Sequence, residues 1–445
     1  MSEPRAVPNR TAKQPARPIA FRNARLIDPA SGFDGRGGLL VIDGVIADMG
    51  AGVGDGGLAD AIEIVDCGGH CLAPGIVDLR VQLREPGEEH KETIASASRA
   101  AAAGGVTSMV ALPNTTPVID DVAGVEFVAR RARETRGTKI YCYGAVTRGL
   151  GGEQLAELGL LAESGAVAFT DGLSAVADAR VMRRALSYGR AYDLLIAQHP
   201  EEPRLAEGGA MNAGELATRL GLSGIPKAAE VMLIERDLHL VAMTGARYHV
   251  AHVSTAEAIE AIRAAKRRGL RVTCDTAAPY FTLNENEVGD YRTFAKLSPP
   301  LRAESDRQAV AAAVADGTID CIASDHAPHD QESKRVPFAH ASPGIVGLET
   351  LLPLSLELVH KGGMGLVELF RRLAKTPADI LKLPQGRFSK GAPADFVLFD
   401  LDRAGRIEVD KFRSKSKNSP YDGRPIQGRV LRTVVDGRTL FEAEG

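Results

Sequence analysis

The 445-residue sequence predicts an α/β fold, a (β/α)8 barrel of the TIM type with a small β domain built from both chain ends. Two observations predict it. Eight short β-branched or apolar runs alternate with helical segments through the middle of the chain, and strand-type runs broken by Gly and Asp turns occupy both ends. Alternation of this kind implies a parallel sheet, and a count of eight favours a closed barrel over an open doubly wound sheet.

Taken in order, residues 1–17 carry scattered Arg, Lys and Pro with no apolar h-region, so they read as a disordered tail rather than a signal peptide. The first strand-type runs are Ala20–Leu26, Leu39–Ile42, Val45–Met49 and Ala61–Val65. The barrel strands are expected at Gly75–Val81, Val106–Leu112, Ile140–Val146, Ala166–Thr170, Leu194–Gln198, Tyr248–Val253, Arg271–Thr276 and Ile319–Ser324. Between them lie segments of helical spacing, such as Glu92–Ala103, Val122–Thr135 and Ala256–Arg268. The runs Asp395–Phe399, Gly428–Val435 and Thr439–Glu442 then return to the β domain. The expected boundaries are residues 18–72 plus 386–445 for the β domain and 73–385 for the barrel.

Composition narrows the function classes. With 44% hydrophobic residues, 25% charged residues and a net charge of -3, the chain is neither disordered nor electrostatically suited to nucleic acid or an anionic membrane. No apolar run approaches the ~20 residues of a bilayer-spanning helix. The five cysteines, Cys67, Cys71, Cys142, Cys274 and Cys321, form no CxxC pair and read as reduced, buried thiols of a cytoplasmic protein. Cys67 and Cys71 lack the second pair that a closed zinc site needs.

The C-terminal ends of the expected strands carry Arg80, Gln82 and Arg84; Asn114; Asp171; His199; His252; and Asp325 with His326 and His329. In a (β/α)8 barrel these edges converge on one pocket. Any one of these residues alone reads as a cap or a solvated loop residue. Together, from different strands, they read as a site.

The motifs around these positions carry a resemblance. Pro74-Gly75-Ile76-Val77-Asp78 running on to Arg84-Glu85-Pro86-Gly87, then Leu112-Pro113-Asn114-Thr115, resemble the dihydroorotases, the class I branch of the amidohydrolase superfamily. So do His249-Val250-Ala251-His252-Val253-Ser254-Thr255, Pro299-Pro300-Leu301-Arg302, Ser324-Asp325-His326-Ala327-Pro328-His329 and Asn418-Ser419-Pro420-Tyr421. Hydantoinases and allantoinases share parts of the pattern. The resemblance implies a cyclic amidohydrolase that interconverts carbamoyl-aspartate and dihydroorotate in de novo pyrimidine biosynthesis. It also implies a metal site in which Asp171, His199, His252 and Asp325 are ligands, Asp325 doubling as the catalytic base. Such a metal, zinc first, lowers the pKa of bound water to about 7. By the same resemblance Arg84, Asn114 and His329 hold the substrate, the guanidinium fork suiting its carboxylate.

The sequence departs from the family on the site face. The family's Asp-x-His-x-His-x-Arg reads here Asp78-Leu79-Arg80-Val81-Gln82-Leu83-Arg84, so both first-strand imidazoles are replaced. A guanidinium has no lone pair to give a metal. At about 4 Å from a divalent ion and an effective dielectric of ~20 it would be repelled by roughly 8 kcal/mol. Arg80 is expected instead to neutralise Asp325 or Asp171. An acidic pair after the fourth strand is reduced to Thr170-Asp171-Gly172, a Pro-His-His run is Pro279-Tyr280-Phe281, and the Asn before Pro-Pro-Leu-Arg is Ser298. Two principal readings follow. One is a mononuclear enzyme with a single weakly held zinc ion. The other is a metal-free, non-catalytic dihydroorotase-like subunit that scaffolds aspartate carbamoyltransferase. A hydantoinase- or allantoinase-like amidase is a further alternative, and a homo-oligomer or hetero-assembly is expected.

Overall fold

The computed structural model describes residues 18–53 and 62–444. The expected tail at residues 1–17 lies outside the described residues, as does Ala61 at the start of one expected run.

The N-terminal strands are β1 (Ile19–Asp28), β2 (Phe33–Ile42), β3 (Val45–Gly50), β4 (Glu63–Asp66) and β5 (Cys71–Pro74). The barrel strands and a small insertion follow as β6 (Ile76–Val81), β7 (Val106–Ala111), β8 (Lys139–Gly144), β9 (Ala168–Phe169), β10 (Leu195–Gln198), β11 (Met211–Asn212), β12 (Gly224–Ile225), β13 (Arg247–Val250), β14 (Val272–Ala277) and β15 (Cys321–Ala323). The chain ends on β16 (Phe396–Arg406), β17 (Pro425–Val435) and β18 (Arg438–Glu442).

Both ends build one sheet, in the order β18-β17-β16-β5-β1-β2-β3, with β4 beside β1. The two halves of the chain join where β5 pairs antiparallel with β16, Cys71 opposite Phe399 and Pro74 opposite Phe396. Phe21, Leu26, Leu39, Leu72, Phe396 and Val434 form this domain's core. The Phe21 and Phe396 rings meet edge to face at 4.8 Å, a geometry aromatic quadrupoles favour.

The barrel runs β6-β7-β8-β9-β10-β13-β14-β15 in parallel, with helices between the strands. A parallel bridge between Val81 and His326 links the sheet's two edges, and the Gln82 N–H donates to the His326 carbonyl at 2.9 Å. Strands buried on both faces read as unbroken apolar runs rather than alternations, which is why β6 and β7 are buried throughout. The helices start at the caps their sequences announce: Asp121 accepts from the Gly124 N–H ahead of helix 122–135, and Thr255 from the Ala258 N–H ahead of helix 256–267. Where helix 94–103 turns into β7, a Cβ at Gly104 would lie 2.0 Å from the Leu348 carbonyl oxygen, so a side chain there would collide with backbone.

A buried ion pair fastens the β domain to the barrel. Lys139, at the start of β8, reaches Asp395 at 2.6 Å and Asp436 at 2.8 Å, with the Lys139 and Asp395 side chains almost wholly buried. Lys139→Met strips the cation from a buried carboxylate and is expected to cost about 3–5 kcal/mol. Urea unfolding followed by circular dichroism measures it, and a loss under about 1 kcal/mol would count against this anchoring role.

Candidate active site

The expected site residues lie at the C-terminal rim of the barrel, and their side chains are engaged with one another and with the backbone. Arg80 leaves β6 almost wholly buried and donates through Nε to Asp325 Oδ1 at 2.9 Å and through Nη2 to the Gly172 carbonyl at 3.0 Å. Asp325 Oδ2 lies 3.0 Å from His252 Nδ1, and His252 Nε2 lies 2.7 Å from His199 Nδ1. The far nitrogen of His199 is 3.5 Å from the Ser298 hydroxyl. A continuous polar chain therefore runs Ser298–His199–His252–Asp325–Arg80, and both nitrogens of His252 and both oxygens of Asp325 are committed within it.

Asp171 stands apart from that chain. Its Oδ1 accepts from the Val146 and Thr147 N–H groups, each at 2.9 Å, and its Oδ2 takes the Thr147 hydroxyl. These partners follow β8, so the carboxylate ties two barrel loops together. Burial pushes the Asp171 carboxyl above its ordinary range, and the Thr147 and Val146 donors only partly offset this.

The electrostatics follow from the same contacts. Burial, then the neighbouring His252 and Arg80, hold His199 well below the usual imidazole range, so it is neutral. Burial alone would raise the Asp325 carboxyl, but His252 and Arg80 outweigh it and keep it below the usual carboxylate range. An acid so stabilised is a weak base.

These residues do not fit a metal ion. Among the described residues, no group of three or more His, Cys, Asp or Glu side chains is arranged to hold one. Asp171, His199, His252 and Asp325, the expected ligands, do not form such a group in this structure. Asp171 is spent on residues 146–147, and Asp325 already faces a fixed cation.

The expected substrate-holding residues lie on the neighbouring part of the rim. Arg84 donates to the Pro328 carbonyl at 3.0 Å and to Glu88 at 2.9 Å, and its Nη2 is 3.3 Å from His329 Nε2. His329 Nε2 is 2.9 Å from the Pro343 carbonyl, which assigns the ring proton to Nε2 and leaves Nδ1 a buried acceptor without a partner. Burial, then the Arg84 charge, lowers the His329 pKa to about 3, so the ring is neutral. Asn114 donates to the Gln82 side chain at 3.2 Å, so the residue replacing the second imidazole sits in an amide pair.

Backbone conformation marks the same places. Arg84, His252 and Asp325 all have positive φ, at 61°, 35° and 49°. Left-handed non-glycine residues cost of the order of 1–3 kcal/mol each and persist where surrounding contacts over-determine them. For His252 that contact is Asp275, whose Oδ1 accepts from the His252 N–H at 2.7 Å while its Oδ2 meets His249 at 2.9 Å.

Sequence reasoning missed Asp275, Glu88 and Glu201. Glu201 is buried, 3.4 Å from the Ser298 hydroxyl, and burial raises its carboxyl to about 7. Its position two residues beyond His199 was the available signal. Beside His329, Lys334 donates to the Ser342 carbonyl at 2.6 Å, and burial, with Lys296 nearby, lowers its ammonium to about 7. A base with a depressed folded-state pKa binds fewer protons folded than unfolded, so the contribution of Lys334 to stability rises with pH from about 7 to about 10. Lys334→Met is expected to flatten that rise. Parallel melting-temperature curves for parent and variant across this window would refute it.

The two-ended β domain, the (β/α)8 barrel and a rim of imidazole, carboxylate and guanidinium groups define a barrel of the cyclic amidohydrolase class. A family model described as Dihydro-orotase-like matches residues 69–258. A dihydroorotase of Anaplasma phagocytophilum is 49% identical over 429 residues, covering 96% of each chain. One of Pelobacter propionicus is 46% identical over 424 residues, covering 95% of this chain and 99% of its own. Among solved structures, the L-hydantoinase (dihydropyrimidinase) of Arthrobacter aurescens superposes with a TM-score of 0.84 at 25% identity, covering 95% of this chain and 96% of its own. The chain belongs to the dihydroorotase family.

Proposed function

We propose that the chain works on the dihydroorotase pair, with carbamoyl-aspartate and dihydroorotate as ligands of the rim pocket, in pyrimidine biosynthesis. The observation that carries this reading is the 43–49% identity to dihydroorotases along nearly the whole chain. Arg84 offers its guanidinium to the ring carboxylate in exchange for its contact with half-buried Glu88. His329 Nδ1 offers an acceptor to a ring N–H, and Asn114 an amide. Asp325 is the group that takes a proton from the attacking water, and its low basicity predicts slow ring opening. The zinc ion that the resemblance implies is not part of this reading, because the ligands it needs are committed elsewhere.

Arg84→Ala is expected to weaken ligand binding by about 2–5 kcal/mol, the cost of losing a buried charge-assisted contact. Calorimetry with dihydroorotate tests it, and unchanged affinity would refute the assignment.

The Arg80–Asp325 pair favours a second reading, a non-catalytic subunit that binds aspartate carbamoyltransferase. An assay of dihydroorotate turnover, paired with sedimentation of the two proteins mixed, separates the readings. Turnover with independent sedimentation supports the enzyme; co-sedimentation without turnover supports the subunit. A cytoplasmic setting goes with either, supported by five free, buried thiols. No helix among the described residues is long and apolar enough to cross a membrane.

A further inference from the structure

We propose that the Arg80 guanidinium is the resident cation of this site, and that its Nη1 receives a carbonyl or carboxylate oxygen of the cyclic amide, so that the pocket binds its ligand without a metal ion. The inference rests on the ligand class proposed above and names the group that would recognise it.

Arg80 is directed rather than loosely placed. Its side chain is 3% exposed, Nε is fixed by Asp325 and Nη2 by the Gly172 carbonyl. Both receptors are built into the fold. Asp325 is held from its other side by His252. Gly172 has a φ of +70°, a conformation L side chains rarely adopt, and a Cβ there would approach Asn114 Cβ to 3.3 Å. The turn that aims the Gly172 carbonyl at Arg80 therefore favours glycine.

With two of its three nitrogens anchored, the guanidinium plane is set before any ligand arrives. Among the described residues Nη1 makes no hydrogen bond, yet it is not one of the buried polar atoms left without a partner, so it keeps contact with solvent. A fixed, largely desolvated donor with one open face binds an anionic oxygen with a charge-assisted hydrogen bond, roughly twice as strong as a neutral one. Its geometry is paid for in advance, as in any preorganised site. The neighbouring groups agree with this role. Gln82 and Asn114 pair through their amides beside Arg80, adding neutral polar atoms at the place where the family pattern has imidazole. The site's carboxylate is matched by a covalent cation, and an added metal ion would meet like charge and committed ligands.

The test uses the full chain purified without added chelator. Elemental analysis is expected to find less than about a tenth of a metal ion per chain, against the one ion of a catalytic zinc site. Calorimetry with dihydroorotate and with carbamoyl-aspartate is expected to give the same affinity with and without chelator. Arg80→Met is expected to weaken binding about tenfold or more. Because that variant strands Asp325 and can fail to fold, Arg80→Met with Asp325→Asn is compared with Asp325→Asn alone, which assigns any lost affinity to Nη1. Equal affinity in that comparison overturns the inference. So does a parent chain carrying about one ion whose removal abolishes binding. If the parent binds neither ligand in any form, the proposed ligand class falls and this inference with it. If it binds but is indifferent to Arg80, only this inference falls.

Discussion

The chain carrying Arg80→His together with Gln82→His is expected to retain about one zinc-like ion or more, where the parent retains less than about a tenth. Three changes act together. The fixed guanidinium leaves, Asp325 Oδ1 loses its hydrogen-bond donor, and two imidazoles appear at the end of β6 beside the His199–His252 pair. Gln82→His alone keeps the Arg80 charge and is expected to bind no more metal than the parent. Retention by the double variant should fall as pH drops through the histidine range, because protons compete for the same nitrogens. Elemental analysis after gel filtration measures all of this. A double variant as metal-poor as the parent would show that Arg80 is not what excludes the ion, and would shift attention to Asp171 and its three donors on residues 146–147.

The architecture was legible because it is written in periodicity. The run Val106–Leu112 contains the whole of β7, Val106–Ala111, and the run Asp395–Phe399 overlaps the start of β16. Pairing between the chain ends could be inferred because strand-rich ends flank one alternating middle. The small pairing of β11 with β12 was not legible: two residues per strand are too few for a period. It is held instead by Arg302, whose Nη1 donates to Asn212 Oδ1 at 3.1 Å and to the Ile225 carbonyl at 3.0 Å.

The site was legible in residue type and not in direction. Arg80 could be matched with a carboxylate from charge alone, since a buried guanidinium needs one, and it meets Asp325. That Asp171 turns its oxygens towards Val146 and Thr147 could not be read, because a backbone N–H leaves no mark in a sequence. Nor could the saturation of His252, which depends on where two other strands end. Ligand sets depend on side-chain direction, and motif spacing alone does not supply it.

Asp325→Ala is expected to destabilise the chain by about 3–5 kcal/mol, as breaking a buried pair from one side does. The Arg80 side chain is 3% exposed and that of Asp325 11%, so neither ion recovers its water when the other is removed. Arg80→Met should cost a similar amount for the mirror-image reason. The double variant, Arg80→Met with Asp325→Ala, removes both charges and is expected to lie well above the sum, within about 1–2 kcal/mol of the parent. The residual loss has two named sources: the Gly172 carbonyl loses its donor, and the His252 ring loses its Nδ1 partner. Urea unfolding of the four chains closes the cycle. A coupling energy near zero would mean that solvent screens the pair in spite of its burial, and the rim would then hold two independent charges rather than one neutral unit. A coupling of several kcal/mol would mean that Arg80 and Asp325 enter the folded state together, so that natural replacement of either alone would be strongly disfavoured. It would also explain how a barrel of this family keeps its rim folded with both first-strand imidazoles gone: the cation that orders the carboxylate is covalently part of the chain.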